Sequence, residues 1–400
     1  MKPVKIKPGV YWVGGIDWDL RNFHGYITQR GSTYNAYLIV DEKTVLVDTV
    51  KQGLFEEMLS RIKEIIDPSR IDYVVSNHVE MDHSGSIPRI LRIAPKAKVI
   101  TSPQGEKGLR GYFKRDWDFL VMKSGDTINI GKRSLQFFLT PMVHWPDNMG
   151  TYIPEEKLLL SSDAFGQHLA SAKRFDDEVG WDIVYEEAAK YYANIVLPYG
   201  EQVKKALAAL SGLDIEMIAP SHGIIWRTYL PKILKSYQKW ANNETEKRAL
   251  IVYDTMWNST RKIACSLQEG LEREGIPVTM RALKTNHISD ILTDVLFCKA
   301  ILVGSPTLNQ GMLPTVGALL TYLKGLRPKK RIGFAFGSYG WGGQAIKEIE
   351  TVMKNLGWEM PLPSINIQYL PDEEELDKVK KMGQKLGTII KQSLNVPTPL

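Results

Sequence analysis

The chain contains Asn77-His78-Val79-Glu80-Met81-Asp82-His83-Ser84-Gly85, which places four potential metal ligands within six positions. It directly follows the apolar run Ile71-Asp72-Tyr73-Val74-Val75, which predicts a buried strand. If the backbone stays extended, His78, Glu80 and Asp82 lie on one side of the segment and His83 on another. This short segment then supplies ligands to two neighbouring metal ions. A structural core histidine usually occurs alone, so the cluster favours metal binding.

Further metal-ligating side chains follow three later buried strands. Rigid strand ends are suited to a site that needs exact placement of its ligands. The repeated pattern of strand and ligand therefore predicts one shared site. The strands and the ligands at or just beyond their ends are residues 135–140 with His144, residues 157–163 with Asp163, and residues 217–223 with His222.

The first two-thirds of the chain is otherwise a mixture of strands and helices. Residues 37–40 and 44–48, joined by a polar turn, predict a hairpin. Apolar spacing predicts helices over residues 54–66 and 87–93, and a further strand over residues 97–100.

A polar segment at residues 240–247 predicts a linker and divides the chain into domains 1–247 and 248–400. Beyond it, strands alternate with helices, which predicts a doubly wound parallel sheet. The tail at residues 395–400 is expected to be loose. The predicted strands of the second domain are residues 248–254, 278–281, 300–303, 331–336 and 365–368.

Composition excludes several classes of protein. The content of 44% hydrophobic and 24% charged residues is that of an ordinary globular protein, and no apolar run is long enough for a membrane span. Two cysteines without a CxxC pair argue against a disulfide framework, a zinc ribbon or a cysteine-held iron–sulfur centre. The net charge of +6 comes from scattered lysines and does not favour nucleic-acid binding. We expect a cytoplasmic enzyme.

The spacing His78-x-Glu80-x-Asp82-His83, followed by His144, Asp163 and His222, resembles the ligand series of the metallo-β-lactamase fold. Hydrolases of that fold carry a histidine where this chain has Glu80. Four imidazoles with three carboxylates form a mixed nitrogen and oxygen set, which suits iron at least as well as zinc. Three carboxylates leave two ferrous ions with a single net positive charge, so the set favours a site that changes valence.

The pattern closely resembles the flavodiiron proteins over nearly the whole chain. The resemblance implies an N-terminal metallo-β-lactamase-like αββα sandwich followed by a flavodoxin-like doubly wound parallel sheet. It also implies that His78, Glu80 and His144 hold one iron, and that Asp82, His83 and His222 hold the other. Asp163 bridges the two irons by the same resemblance, and in some members water replaces the residue matching His83.

Two further residues match positions that lie beside the metal ligands in the family. They are His24 and Tyr191, which are expected to supply protons to bound oxygen species. The alternative for each is packing or a surface hydrogen bond. His168 is expected to line the pocket without binding metal, and His287 to be a solvated loop residue.

Three segments at the ends of parallel strands predict an FMN site in the second domain. The first, at residues 254–260, leads into a helix and resembles the phosphate loop of flavodoxins, with Asn258 where these often carry glycine. The others are residues 304–311 and 337–343, where glycines and aromatic rings suit a flat coenzyme. No G-x-G-x-x-G follows a strand, which disfavours a dinucleotide. The expected FMN contacts are Thr255, Met256, Trp257, Asn258, Ser259, Thr260, Pro306, Thr307, Leu308, Asn309, Ser338, Tyr339, Gly340, Trp341 and Gly342.

Together the two sites predict an electron relay. FMN accepts electrons and two irons deliver them to a small oxidant. The resemblance implies reduction of O₂ to water, or of two NO to N₂O and water. It also implies a head-to-tail homodimer, or a dimer of such dimers. The chain lacks the cysteine pairs of an appended rubredoxin domain. We therefore expect an external donor, either a rubredoxin or a reduced deazaflavin coenzyme.

Two other functions compete with this interpretation. The first is a zinc-dependent hydrolase of the β-lactamase fold with an accessory flavodoxin domain. Glu80 argues against it, because it replaces a histidine that the hydrolases use. The second is an electron carrier or sensor with a vestigial metal site, which the presence of all seven candidate ligands disfavours.

Overall fold

The computed structural model describes residues 2–393, so the predicted loose tail at 395–400 lies outside the described residues. The chain forms two compact units. The first comprises the chain up to Tyr191 together with Tyr199–Asn242, and the second comprises Tyr192–Pro198 and the chain from Asn243 onward. The predicted domain boundary after Lys247 stays a prediction.

The first unit contains two large sheets. The seven-stranded sheet has the order β1-β2-β7-β8-β9-β10-β11, and the five-stranded sheet has the order β12-β13-β14-β15-β16. The short strands β3 and β6 pair with each other, as do β4 and β5. The strands are β1 Val4–Lys7, β2 Val10–Trp12, β3 Gly15–Asp17, β4 Asn22–Phe23, β5 Tyr26–Ile27, β6 Ser32–Tyr34, β7 Tyr37–Val40, β8 Thr44–Val47, β9 Tyr73–Ser76, β10 Lys98–Thr101, β11 Phe119–Val121, β12 Thr127–Asn129, β13 Ser134–Leu139, β14 Met149–Ile153, β15 Leu158–Leu160 and β16 Met217–Ala219.

Eight α-helices belong to the described part of this unit. They are α1 Phe55–Lys63, α2 Met81–Ser84, α3 Ile87–Ile93, α4 Pro103–Phe113, α5 Asp176–Val179, α6 Trp181–Tyr191, α7 Gly200–Leu210 and α8 Leu230–Ala241. Pro103 at the first position of α4 and the Ser102 side chain, which accepts a hydrogen bond from the Gly105 amide, define where that helix begins.

The core of the first unit lies between its two sheets. Side chains such as Trp12 and Val75 from the seven-stranded sheet pack with Phe137 and Leu160 from the five-stranded sheet. A second cluster joins the other face of the seven-stranded sheet to apolar side chains of α1, α3 and α4. This layered αββα arrangement confirms the predicted fold class of the first part of the chain.

The predicted hairpin is present as β7 and β8, which pair antiparallel with Val40 opposite Thr44. The predicted strand before the ligand segment is β9, and it lies between β8 and β10 in parallel register. The structure differs from the expectation after β9, because the backbone does not stay extended. Met81–Ser84 form a helical turn, so Asp82 and His83 project from a helix instead of continuing the two-residue alternation.

The second unit contains a doubly wound sheet of order β18-β17-β19-β21-β22, with β20 paired to β19. All neighbours on the main path are parallel, which confirms the predicted sheet type. The strands are β17 Glu246–Tyr253, β18 Val278–Ala282, β19 Cys298–Leu308, β20 Gly311–Met312, β21 Ile332–Tyr339 and β22 Ile365–Gln368. The helices are α9 Ser259–Arg273, α10 Ile288–Phe297, α11 Pro314–Leu326, α12 Gln344–Asn355 and α13 Glu373–Ser393.

The predicted linker at residues 240–247 is shorter in the structure. Helix α8 continues to Ala241 and β17 already begins at Glu246, so only residues 242–245 are irregular. Trp240 is buried because it packs against Tyr237 and Tyr185, which the polar residues around it did not indicate. Within the described residues, every helix is too short or too polar to cross a bilayer.

Candidate metal centre and cofactor loops

Four predicted ligands form one group at the strand ends of the first unit. The ligand atoms of His78, Glu80, His144 and Asp163 all lie within 4.8 Å of one another. His78 Nε2 lies 3.3 Å from Glu80 Oε2, and His144 Nε2 lies 3.1 Å from Asp163 Oδ2. The loops after β9, β13 and β15 bring these side chains together. The group offers two imidazoles and two carboxylates to a single position.

The other three predicted ligands form a second group. Asp82, His83 and His222 are buried, and their ligand atoms lie within 4.8 Å of one another. His222 Nε2 lies 3.2 Å from Asp82 Oδ2, and His83 Nε2 lies 3.4 Å from the same oxygen. Helix α2 supplies Asp82 and His83 one after the other, so a single turn contributes two of the three side chains.

Asp163 connects the two groups through its two carboxylate oxygens. Its Oδ2 faces the first group, 3.1 Å from His144 Nε2 and 3.6 Å from His78 Nε2. Its Oδ1 faces the second group, 3.2 Å from His83 Nε2 and 3.6 Å from His222 Nε2. This division of the two oxygens is the geometry of a carboxylate between two neighbouring cations.

Two contacts behind the ligands fix imidazole orientation. His78 Nδ1 lies 2.9 Å from Asp147 Oδ2, and the same oxygen accepts a hydrogen bond from the Val79 amide. His222 Nδ1 lies 2.8 Å from the Thr33 carbonyl oxygen. In both histidines the outer nitrogen is thus occupied and Nε2 points to the cluster. Such outer contacts orient ligating histidines and raise their basicity.

The electrostatics of the cluster favour positive charge at its centre. Burial lowers the pKa of His78, but contacts with Asp147, Glu80 and Asp163 outweigh it and raise that pKa well above its usual value. Burial also lowers the pKa of His83, but the nearby carboxylates of Asp82 and Asp163 outweigh this effect and raise that pKa to about 9. Although burial raises it, the pKa of Asp163 is held well below its usual value by the imidazoles around it. A dication therefore meets a field that already stabilises cations.

The donor set fits two metal ions. Both carboxylate oxygens of Asp82 are buried and make no hydrogen bond, although two imidazole nitrogens lie close by. Carboxylate oxygens and imidazole nitrogens that lie close together without hydrogen bonds between them are typical of side chains that bind a common metal ion. Burying such acceptors without a partner is costly, and a bound cation removes that cost. The mixed nitrogen and oxygen donors suit iron.

The two predicted proton donors lie beside the cluster in different environments. His24 is largely exposed, and its Nε2 lies 3.3 Å from Glu80 Oε1. Tyr191 is buried, with its ring centroid 6.2 Å from that of His222. Burial raises the pKa of Tyr191 well above its usual value, and Asp163 adds to this effect. Tyr191 therefore stays protonated at physiological pH.

The two remaining histidines differ in their surroundings. His168 is buried beside His222, with ring centroids 4.9 Å apart, and its Nδ1 lies 2.8 Å from Ser32 Oγ. It lies beside the second ligand group but belongs to neither group. His287 is not a solvated loop residue as predicted, because it caps the start of α10 and accepts a hydrogen bond from the Ser289 amide.

The predicted cofactor-binding residues lie at the carboxyl ends of three adjacent parallel strands, β17, β19 and β21. We call these three segments the cofactor loops: residues 254–260, 304–311 and 337–343. The second is less of a loop than expected, because β19 continues through Pro306 and Thr307 to Leu308 and turns back into β20. The third begins within the last three residues of β21, which ends at Tyr339, and continues beyond it.

The cofactor loops fit a phosphorylated flat coenzyme. Asn258 has a positive φ of 69° and directly precedes α9, so the first amides of a long helix are turned towards the loop. The hydroxyl oxygens of Thr255 and Thr307 are buried without a hydrogen-bond partner. Trp257 is 87% exposed and Trp341 is 96% exposed. Unpaired hydroxyls beside exposed indoles provide both polar contacts and stacking surfaces.

Sequence reasoning missed two acids that support the metal cluster. Asp147 contacts His78. The only feature of the sequence that could have indicated this role is its position three residues after the candidate ligand His144. Asp48 is buried at the end of β8 and accepts hydrogen bonds from the Asn77 amide and side chain. Burial raises the pKa of Asp48 to about 6, despite the opposing influence of His83. Both acids hold the segment that carries the ligands.

Comparison with known families gives two matches, one on either side of the segment between the metal ligands and the cofactor loops. Residues 33–223 match the family described as ODP family beta lactamase. Residues 251–383 match the flavodoxin family. The first range contains all seven candidate metal ligands, and the second contains all three cofactor loops.

Several characterised proteins are similar over nearly their whole length. A nitric oxide reductase of Moorella thermoacetica is 45% identical, covering 97% of this chain and 99% of the relative. A rubredoxin-oxygen oxidoreductase of Megalodesulfovibrio gigas is 40% identical, covering 98% and 100%. A coenzyme F420H₂ oxidase of Methanothermobacter marburgensis is 38% identical, covering 97% and 98%.

Solved structures agree with these relatives. The rubredoxin oxygen:oxidoreductase of Desulfovibrio gigas superimposes with a TM-score of 0.97 at 39% identity, covering 99% of this chain and all of that one. A protein of Giardia intestinalis, described as a flavodiiron protein, gives a TM-score of 0.95 at 33% identity, covering 99% of both chains. The similarity thus extends across both units.

Proposed function

Because the chain belongs to the flavodiiron protein family, we propose that it is an oxidoreductase that reduces O₂ to water, NO to N₂O, or both. Its cofactors are FMN and a non-haem diiron site. The observation that carries this proposal is the division of the Asp163 oxygens between two ligand groups. The zinc hydrolase alternative is not favoured, because the similar full-length proteins are oxidoreductases.

The ligands are assigned to two iron positions. His78, Glu80 and His144 would hold one iron, Asp82, His83 and His222 would hold the other, and Asp163 would be shared between them. The two groups of neighbouring ligand atoms support this assignment. When bound, the two irons supply electrons together to one small ligand, and FMN supplies them singly.

The residues around the cluster position the ligands and provide protons. Asp147 holds the His78 ring so that Nε2 faces inward. Glu80 has one oxygen towards the first ligand group and the other 3.3 Å from His24 Nε2. His24 reaches solvent, so its Nε2 is placed to pass protons towards the Glu80 edge of the pocket. Tyr191, protonated and buried near His222, is the donor on the other side.

The cofactor loops bind FMN in this proposal. Thr255, Asn258, Ser259 and Thr260 receive the phosphate at the start of α9, where amides and hydroxyls converge. Thr307, with its buried unpaired hydroxyl, contacts the ring from β19. Tyr339 and Trp341 would provide aromatic surfaces for the isoalloxazine. The remaining contacts are Met256, Trp257, Pro306, Leu308, Asn309, Ser338, Gly340 and Gly342.

A head-to-tail homodimer, or a dimer of such dimers, brings the flavin of one chain to the irons of its partner. Closed two-fold symmetry is the commonest arrangement of oligomers, which supports the proposal. The exposed indoles of Trp257 and Trp341 are of the kind that interfaces bury. Sedimentation of the active protein tests the proposed dimer, because a fully active monomer would contradict it.

An external donor supplies the electrons. The names of the relatives indicate two classes: a rubredoxin for one oxidoreductase and reduced coenzyme F420 for another. We propose that a donor of one of these classes reduces this protein. We also propose that the boundary between the two domains lies between residues 247 and 248. Reduction of bound FMN by each donor in separate stopped-flow runs distinguishes them. Cell fractionation tests the cytoplasmic location expected from the sequence.

Anaerobic purification followed by cofactor analysis tests the function itself. We expect two irons and one FMN per chain, and consumption of O₂ or NO when the protein is supplied with a chemical reductant. Zinc in place of iron, together with hydrolase activity, would establish the alternative. A protein with both cofactors that consumes neither gas would overturn the proposal.

A further inference from the structure

An apolar cavity lies in the first unit between the five-stranded sheet and helices α7 and α8. Its walls come from β13, β14 and β15 on one side and from α7 on the other, including Phe138, Leu159, Val203 and Leu207. The space available to the centre of a water-sized sphere is about 20 Å³. One water needs roughly 10–15 Å³ on this measure, so a diatomic molecule fits.

Two residues of the cavity lining belong to the loops that carry metal ligands. They are Val143 and Ala164, and each is the direct chain neighbour of a candidate ligand, His144 and Asp163 respectively. Both lining residues are buried. Elsewhere the lining is half-buried, at Phe138 on β13 and at Ala206, Leu207 and Leu210 on α7. The cavity therefore extends from the half-buried face of a helix to the loops that hold the ligands.

The lining suits an apolar gas better than water. Ser161 donates its hydroxyl hydrogen to the Ala164 carbonyl, and the Tyr237 hydroxyl accepts from the Phe165 amide. Of the hydroxyls in the wall, Thr140 Oγ1 alone is buried without a partner. A buried water needs two to four polar partners, whereas apolar cavities stay dry and take up xenon or small hydrocarbons.

We propose that this cavity binds the gaseous substrate, O₂ or NO, and is a route by which it reaches the metal centre. Both gases are small and weakly polar, so each partitions from water into an apolar space. The inference rests on the proposed function for the identity of the substrate. The binding site itself is a property of the lining residues and is testable without turnover.

Gas binding in the cavity can be tested by pressurising crystals of the full-length protein with xenon and locating the bound atoms. Xenon density is expected between Val143 and Ala206 in the wild-type protein. Ala206→Leu fills the cavity and is expected to abolish that density. Ala208→Leu is the matched control, because Ala208 lies on the exposed face of the same helix and leaves the cavity unchanged. Absence of xenon from the wild-type cavity would overturn the proposed site.

Steady-state kinetics test the route. With the donor in excess, Ala206→Leu is expected to lower kcat/KM for the gas several-fold while kcat at saturating gas is unchanged. Ala208→Leu should match the wild type in both. Loss of xenon from Ala206→Leu with no change in kcat/KM would refute the route.

A second variant keeps the test valid if Ala206→Leu does not fold. Leu210→Ala enlarges the same cavity and is expected to raise xenon occupancy, and unchanged occupancy would count against the site. Failure of the proposed function is distinguishable, because the wild-type protein loaded with both cofactors would then consume neither gas, whatever the xenon result.

Discussion

The metal-ligand cluster and the cofactor loops differ in how the chain holds them. The cluster consists of side chains from the ends of strands, and His78, His83, Asp163 and His222 are all buried. The cofactor loops rely on backbone amides, hydroxyls and aromatic rings such as Trp341, which is almost fully exposed. Metal ions need fixed ligand positions, whereas a large flat coenzyme is bound through many weaker contacts. The two sites should therefore fail independently.

The largest effect is expected from Asp163→Asn. The change removes the negative charge between the two ligand groups, so iron binding and turnover should fall by at least about three orders of magnitude, as for loss of a buried charge partner. FMN should remain bound at one per chain. Iron and flavin assays on the same sample check both points. Loss of flavin together with iron would contradict separate sites.

A smaller effect is expected from Asp147→Asn. The carboxylate contacts His78 Nδ1 without being a ligand, so iron affinity should fall by about 10–100-fold, as is typical of outer contacts to ligating histidines. Chelator competition measures the change. Asp126→Asn, which alters an exposed turn carboxylate bonded to the Lys123 amide, is the control. Equal losses in both variants would mean that Asp147 has no specific role.

Thr307→Val tests the other side of the comparison. The substitution preserves shape and removes a hydroxyl proposed to contact FMN, so FMN affinity should fall by about 10-fold, the size of one hydrogen bond. Iron content should not change. Thr351→Val, at an exposed position on α12, is the control. Flavin fluorescence titration gives the affinities, and unchanged binding in Thr307→Val would remove Thr307 from the site.

The smallest expected effect is on the pH dependence of stability, and it comes from Glu187, a buried carboxyl group outside the metal-ligand cluster. Burial raises the pKa of Glu187 to about 7 against an ordinary value of 4.5, although Lys190 and Arg30 oppose this. Because the pKa of Glu187 is higher in the folded state than in the unfolded state, the protonated side chain stabilises the fold fully below about pH 4.5. This stabilisation is lost as pH rises through 7. The slope from this group is at most about 1.4 kcal/mol per pH unit.

Glu187→Gln should remove that slope between about pH 4.5 and 7 and leave turnover unchanged. Urea unfolding at several pH values measures it. Glu186→Gln is the matched control, since this exposed neighbour also contacts Arg30. An identical pH dependence in wild type and Glu187→Gln would show that the carboxyl is not perturbed.

The doubly wound sheet of the second domain and the ligand at the end of each strand were predicted from local patterns. The αββα sandwich and the division of the seven ligands into two groups were implied by the resemblance to flavodiiron proteins. Strand, ligand and glycine-rich loop are all visible within a few residues of one another. The helical turn at Met81–Ser84 was not predicted, because the alternation of His78, Glu80 and Asp82 with apolar residues suits an extended segment. Asp147 escaped notice because its partner His78 is distant in the chain. Contacts of this kind depend on how the two sheets pack.

The continuation of β19 through Leu308 has a similar explanation. The segment Gly304-Ser305-Pro306 reads as a loop because glycine and proline usually interrupt strands. In the structure these three residues pair with β21, and the next two residues, Thr307 and Leu308, pair with β20, so neighbouring strands override the local preference. The hairpin with β20 then sets the position of Thr307 at the carboxyl edge of the sheet. Local composition located this part of the site but not its conformation.

Rapid mixing of the anaerobically reduced protein with O₂ or NO tests the central claim most directly. The account predicts that flavin absorbance returns quickly with at least one gas in the wild type. In Asp163→Asn it should return only at the slow rate of flavin reacting alone. A wild-type flavin that stays reduced with both gases, or equal rates in wild type and variant, would contradict electron transfer through a diiron centre.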